Sequence, residues 1–284
     1  PVNTSGTIES RVKANPTYGQ SIVSYKGNGT SGATVGHGLS SAPELIIIKN
    51  RTKSGENWAI GIEGITGVSN DSLKFTNEAS NAGTGYFAGS SSSTLFTLGN
   101  AANSNFNTSG LIAYCFHSVA GYSKFGQYTG TAGTQTITTG FAPAFLMIKN
   151  TGATGHWTMW DNARSPINNS TTGKQMLRSS SAAAEETKTD REPTWLSTGF
   201  SIGDSDQDTN ANTHNYIYIA FADKREYAYW LDQSGNNNDW TSLQELTESD
   251  VVLDSPTNNF CTFNPLDSEN ATNIPMRDGN LGFT

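Results

Sequence analysis

Four oxygen-bearing side chains at every second residue, Asp204, Asp206, Asp208 and Asn210, form the most pointed chemical pattern in this chain. Alternating acids on one loop offer several hard oxygen donors to a single centre, as a calcium ion requires. The EF-hand version of that loop is not met, because Thr209 stands where it needs glycine and Asn215 where it needs glutamate. The plain alternative is an acidic loop in water. Calcium at these four residues is the one metal expectation, and the sequence implies no other cofactor.

Trp160 and Trp195 are the second set of candidates. An indole stacks on the apolar face of a sugar and donates one hydrogen bond, so these two tryptophans are glycan-contact candidates, with core packing as the competing reading. Trp58 and Trp157 recur at matching places and read as shared core positions. Signs of catalysis are weak. The chain has no Gly-x-Ser-x-Gly elbow, and His37, His117, His156 and His214 stand apart without metal-ligand spacing. Glu185 and Glu186 are adjacent and cannot flank one glycosidic bond, and Asp161 beside Trp160 is a single carboxylate. Gly27-Asn28-Gly29 and Gly36-x-Gly38 precede strand patterns, not helices, and read as turns. The expectation is therefore a protein that is not an enzyme.

These candidates sit in a chain that repeats itself after about 100 residues. Ala42-Pro43-Glu44-Leu45-Ile46-Ile47-Ile48-Lys49-Asn50 returns as Ala142-Pro143-Ala144-Phe145-Leu146-Met147-Ile148-Lys149-Asn150, and Ser24-Tyr25-Lys26-Gly27 as Gln127-Tyr128-Thr129-Gly130. Phe96-Thr97-Leu98-Gly99 matches Phe200-Ser201-Ile202-Gly203, and Leu111–Phe116 matches Tyr216–Phe221. That period is too long for a solenoid unit and suits a small domain. The organisation expected is an N-terminal arm at 1–17, repeats at 18–120 and 121–230, and an extended connector at 231–284.

Strand patterns fall at 21–26, 44–50, 58–62, 72–76, 94–98 and 111–117, and again at 124–128, 134–138, 144–150, 157–161, 199–202 and 215–222. Short strands parted by Gly, Ser and Asn clusters predict an all-β fold of two tandem antiparallel β-sandwich domains, jelly-roll-like in kind. Residues 182–188 offer the one plausible helical turn. The runs 45–48 and 145–148 are continuously apolar, which indicates strands covered on both faces or an interface; the Lys-Asn after each reads as a return to solvent. Tyr216 and Tyr218 alternate with Ile217 and Ile219, one face for the core and the other for a subunit contact or solvent.

The chain is 35% hydrophobic and 15% charged, its polarity coming from Ser, Thr, Asn and Gly, and 10% aromatics give it core material. A formal charge of −8 without a basic run argues against nucleic acid. No apolar run approaches the ~20 residues of a membrane span. Two cysteines do not make a disulfide scaffold, and Cys115 reads as a buried free thiol.

The phrases from Ser21 to Arg51 (SIVSYKGNGTSGATVGHGLSSAPELIIIKNR) and from Leu111 (LIAYCFHSVAGYSKFGQYTG), with the tail DQSGNNNDW and DSPTNNFCTFNPLD, carry a resemblance. Together they resemble a tandem domain of uncharacterised function in fibre-like and tail-associated virion proteins of tailed, marine-type bacteriophages. The resemblance implies a virion location, a homotrimeric fibre, other virion proteins as partners and host surface polysaccharide as a target. It transfers no catalytic or binding residue. Two alternatives remain: a purely architectural spacer or capsid-decorating protein, and a polysaccharide depolymerase. The last commonly uses long parallel β-helices with short repeats, which this sequence lacks.

Overall fold

The computed structural model describes residues 2–62, 71–82, 85–164, 174–188 and 193–222. The connector expected at 231–284, and Cys261 with it, lie outside the described residues. In chain order the first repeat contributes β1 (Val2–Asn3), β2 (Ser10–Asn15), β3 (Gln20–Lys26), β4 (Ala33–Gly36), β5 (Leu45–Asn50) and β6 (Ala59–Ile62). It continues with β7 (Asp71–Ser72), β8 (Asn81–Ala82), β9 (Leu95–Leu98), the single-turn helix α1 (Ala102–Asn105) and β10 (Gly110–Phe116). The second repeat contributes β11 (Ser123–Thr129), β12 (Gln135–Thr138), β13 (Pro143–Asn150), β14 (Trp157–Asp161) and β15 (Lys174–Arg178). It ends with β16 (Glu186–Lys188), β17 (Thr194–Leu196), β18 (Gly199–Ile202) and β19 (Asn215–Ala222).

The protein is all-β, and every pairing between these strands is antiparallel. Each repeat builds one large sheet and one small one that closes over it, and in the first repeat β7 and β8 pair as a further two-stranded sheet. The large sheets run β1-β2-β3-β10-β5-β6 and β11-β19-β13-β14-β15-β16; the small ones pair β4 with β9 and order β12-β18-β17. The repeats match residue for residue. Ile48 faces Ala59 as Ile148 faces Thr158, Val35 faces Phe96 as Ile137 faces Phe200, and Tyr25 faces Leu111 as Tyr128 faces Tyr216.

Period-2 patterning places three cores between four layers. Val23, Tyr25, Ile46, Ile48, Leu111, Ala113 and Cys115 of the first large sheet close on Val35, Phe96 and Leu98 of its small sheet. Leu146, Ile148, Trp160, Tyr216, Tyr218 and Ala220 close on Ile137, Phe200 and Ile202 in the same way. The intervening residues of both large sheets meet each other: Leu45, Ile60 and Leu73 pack with Phe125, Trp157, Ile217 and Ile219. The repeats are thus joined back to back. Burying each such side chain is worth roughly 1.5–3 kcal/mol, so this middle layer is a true core.

That middle core explains the continuously apolar strands. In β5 and β13, Ile46, Ile48, Leu146 and Ile148 serve their own sandwich, and Leu45, Ile47, Phe145 and Met147 serve the seam. In β19 the tyrosines face the second core and Ile217 and Ile219 face the other repeat of the same chain, not a subunit contact or solvent. Polar ties pin the seam: Trp157 Nε1 donates to Lys74 O at 2.8 Å, Gly155 N to Asn77 O at 2.9 Å and Ser80 N to Thr151 O at 2.9 Å. Glu44 accepts from Ser118 N at 2.7 Å, and the Ser118 hydroxyl accepts from Phe125 N at 3.1 Å, which fixes the chain between repeats.

Two expectations give way. Residues 182–188 form no helix: Ala182–Ala184 are exposed coil, and Glu186–Lys188 is β16, paired with β15. A seven-residue segment cannot nucleate a helix unaided, and the ladder supplies the hydrogen bonds that a lone turn lacks. Residues 1–17, read as an arm, supply β1 and β2 to the first large sheet. Their inward positions are Ser10, Val12 and Ala14, too small to signal burial in the sequence.

Candidate functional site

The alternating acids lie in the loop between β18 and β19, at one end of the second sandwich. Their oxygens bind the loop itself and the segments packed against it. Asp204 Oδ1 accepts from Asp206 N at 2.9 Å and from the Thr209 hydroxyl at 2.6 Å, and Asp206 Oδ1 accepts from Asp208 N at 2.8 Å. Asp208 Oδ1 accepts from His156 N at 2.7 Å, and its Oδ2 lies 3.7 Å from Arg178 Nε. Asn210 is fully buried: its Oδ1 accepts from Thr131 N at 3.0 Å, and its Nδ2 donates to Gly133 O at 2.8 Å and Asp204 O at 2.7 Å. These are Asx-type closures, in which each side chain satisfies main-chain donors that no ladder reaches. Among the described residues no three His, Cys, Asp or Glu side chains converge as metal ligands would.

The same scaffold appears without acids in the first repeat. Asn105 Nδ2 donates to Gly99 O at 2.8 Å and Thr30 O at 2.9 Å, and its Oδ1 accepts from Asn28 N at 2.9 Å. Tyr25 donates its hydroxyl proton to Ser104 O at 2.6 Å, and Tyr128 donates to Thr209 O. Asn103 ties its loop to Asn57 O where Asp208 ties its own to His156 N. Gly27 and Gly130 lie directly under these loops, and an added Cβ would stand 2.3 Å from Phe106 O or 2.1 Å from Ala211 O. Close approach of main chain, not phosphate binding, is what these glycines serve.

Lys49-Asn50 and Lys149-Asn150 complete the device, and they do not return the chain to solvent. Lys149 and Asn150 are fully buried and Asn50 nearly so. Asn150 Oδ1 accepts from Gly152 N and Ala153 N at 3.0 Å each, and its Nδ2 donates to Gln207 O at 2.6 Å. Asn50 does the same with Lys53 N at 3.0 Å and Ala102 O at 2.9 Å. Lys149 Nζ donates to Gly155 O at 2.7 Å, as Lys49 donates to Glu56 O. Burial lowers the Lys149 ammonium to about 8, with Asp208 and Glu78 pulling it back up.

Trp160 is fully enclosed and Trp195 is 5% exposed, both within the second core, so the structure brings them together as packing and turns neither indole face to solvent. Trp157 is buried in the seam, where Phe75 meets it edge-on at 5.2 Å, and Trp58 is half-buried under the Lys49 ammonium at 5.7 Å. The exposed rings are others: Tyr18 at 45% and Phe106 at 42%. Tyr18 lies 4.9 Å from Tyr122, and Lys53 stands 4.8 Å over Phe106. Phe106 was detectable as the residue where the second repeat carries Ala211.

One contact has the form of a nucleophile and its base: Ser180 Oγ lies 3.0 Å from His156 Nδ1. Ser180 also accepts from Trp157 N at 3.2 Å, and Asp208 engages the His156 main chain. The carboxylate therefore orients the loop, not the imidazole. Cys115 is a buried free thiol, its pKa pushed up to about 12 by burial, which makes it inert at neutral pH.

A family profile described as Domain of unknown function (DUF7483) matches residues 1–225. The chain belongs to this family. The DUF7483 match takes in both repeats, so the family unit is the back-to-back pair, and its end meets the limit of the compact body at residue 224. No curated protein and no solved structure matches the chain.

Proposed function

We propose that this DUF7483 chain is a structural protein of a bacteriophage virion, a tail-fibre or tail-associated module that contributes to recognition of host surface glycan. The observation that carries the reading is the run of phrases from Ser21 to Arg51, from Leu111 to Gly130 and in the tail, which resemble such virion proteins over most of the chain. A double sandwich rich in Ser, Thr, Asn and Gly suits water-rich contacts with polysaccharide. Homotrimeric assembly would multiply weak sites into useful avidity. Tyr18 and Phe106, both in the first repeat, are the exposed rings among the described residues that could stack on a sugar in this reading.

A second reading is favoured by one observation. Val2 and Ile22 are exposed on the outer face of the first large sheet, on either side of Arg11 and Lys13, a surface that a purely architectural component bound to other virion proteins could use. Binding of fluorescently labelled full chain to host cells, with purified host polysaccharide as competitor, separates the two. Saturable, competed binding supports recognition; a folded chain that does not bind leaves the architectural role.

A further inference from the structure

We propose that the outer face of β1–β3 is an assembly surface that receives the acidic segment 248–254 of a neighbouring copy of the chain. The proposal rests on the reading of this protein as a multicopy virion component and names the partner for one of its faces.

The first large sheet is wider than its cover. The edge strand of the second large sheet is β11, whose Phe125 lies 5.9 Å from Phe116 on β10. From β10 the covered direction runs through β5 and β6, whose Leu45 and Ile60 lie in the seam. The opposite direction runs through β3, β2 and β1, beyond the edge of the second sheet. There the outward side chains form rows set by register: Lys13 beside Ile22, Arg11 beside Ser24, and Val2 beside Arg11. Val2 is 53% exposed and Ile22 46%. Arg11, Lys13 and Lys26 are exposed around them, and among the described residues none of the three makes an ion pair. The face is thus cationic along its middle strand, where β2 carries Arg11 and Lys13, with Val2 on β1 and Ile22 on β3 as apolar flanks.

The chain carries the complement. Residues 231–284 hold nine Asp or Glu and one Arg, a net −8, and residues 1–230 balance at sixteen of each sign. The whole net charge of the protein therefore belongs to this segment. Within it Glu248, Asp250 and Asp254 bracket Val251-Val252-Leu253, so acidic and apolar side chains stand side by side as cationic and apolar ones do on the face. An acidic segment laid across the face of β1–β3 would set its carboxylates against Arg11 and Lys13 and its apolar side chains beside Val2 and Ile22.

A charge-swap series on the full chain tests this, read by sedimentation at low and high salt. Arg11→Glu with Lys13→Glu, and separately Glu248→Lys with Asp250→Lys, should each weaken self-association by about tenfold or more, and the four changes combined should restore it. Arg11 and Lys13 are exposed, so unchanged circular dichroism accompanies these variants. Wild-type chain that stays monomeric at all concentrations, or two reversals whose defects add instead of cancelling, overturns the proposal. In a Cys261→Ser background, differently tagged chains carrying Lys13→Cys and Asp250→Cys should form mixed disulfide dimers; cross-linking confined to doubly substituted single chains overturns the neighbouring-copy arrangement. Host-cell binding is a separate readout. Charge-swap rescue without cell binding sustains this interface and sinks the recognition reading, and cell binding without rescue does the reverse.

Discussion

Asn105 and Asn210 perform the same task in the two repeats: each lies fully buried and joins its end loop to the turn beneath it through both amide atoms. The acids around Asn210 are additions to that shared frame: Asp204 and Asp206 accept from their own loop, and Asp208 ties it to His156 and Arg178.

Replacing either asparagine by alanine should therefore cost stability. Several buried main-chain groups lose partners at once, at about 1–3 kcal/mol for each group left unsatisfied. Urea unfolding of Asn105→Ala and Asn210→Ala should show losses of similar size, about 2–4 kcal/mol. An Asp206→Ala loss much larger than that of Asn210→Ala would contradict the shared frame.

The seam should behave as core. Trp157→Ala is expected to lower stability by about 3–5 kcal/mol, in keeping with truncation of a buried aromatic. Unfolding should remain one cooperative transition by fluorescence and by calorimetry, because neither repeat has a covered outer face alone. Two resolved transitions in the wild-type chain would count against a common core.

How much of this was readable in the sequence varies by residue. The repeat and its strands were legible because Lys49-Asn50 and Lys149-Asn150 end apolar runs of equal length and because β-branched residues alternate. The burial of that lysine and asparagine was not, since a side chain reaching a carbonyl six residues on, Gly155 O for Lys149, is set by loop shape. Trp160 and Trp195 were chosen by residue type, but exposure depends on which face of the strand a residue occupies, and β14 turns Trp160 inward. Phe106 escaped notice inside an Asn-rich loop.

Buried Lys149 predicts a pH dependence with a definite sign. Its folded-state pKa is depressed to about 8 from 10.5, so between these values the unfolded chain binds more protons than the folded one. Stability from this residue should rise as pH climbs from 8, and be flat below it. Cys115 and Tyr128, whose pKa values are raised by burial, act in the opposite direction above pH 9. The difference between wild type and Lys149→Met isolates the lysine; over pH 7.5 to 9.5 it should grow in favour of wild type by about 1–2 kcal/mol. A constant difference would place the ammonium in a wetter setting.

Exposed and buried aromatics should separate cleanly. Tyr18→Ala and Phe106→Ala are expected to leave the melting temperature within about 2 °C and to weaken cell binding several-fold in the recognition reading. Trp160→Ala should instead lower stability by about 3–5 kcal/mol. If Trp160→Phe stays as stable as wild type yet loses binding, the core assignment of that indole fails.

The seam between the repeats also bears on ancestry. Each half turns toward its twin a surface as apolar as an interior, and a chain encoding only one half would meet water with that surface bare. Such a chain would be expected to cover that surface by pairing, the two copies pressed together by the faces that Leu45, Ile60, Phe125 and Ile217 now supply. Carrying both halves on one polypeptide makes that pairing independent of concentration and leaves each half free to differ. The acids of 204–208, present in one half and missing from the other, are what that freedom looks like in the sequence.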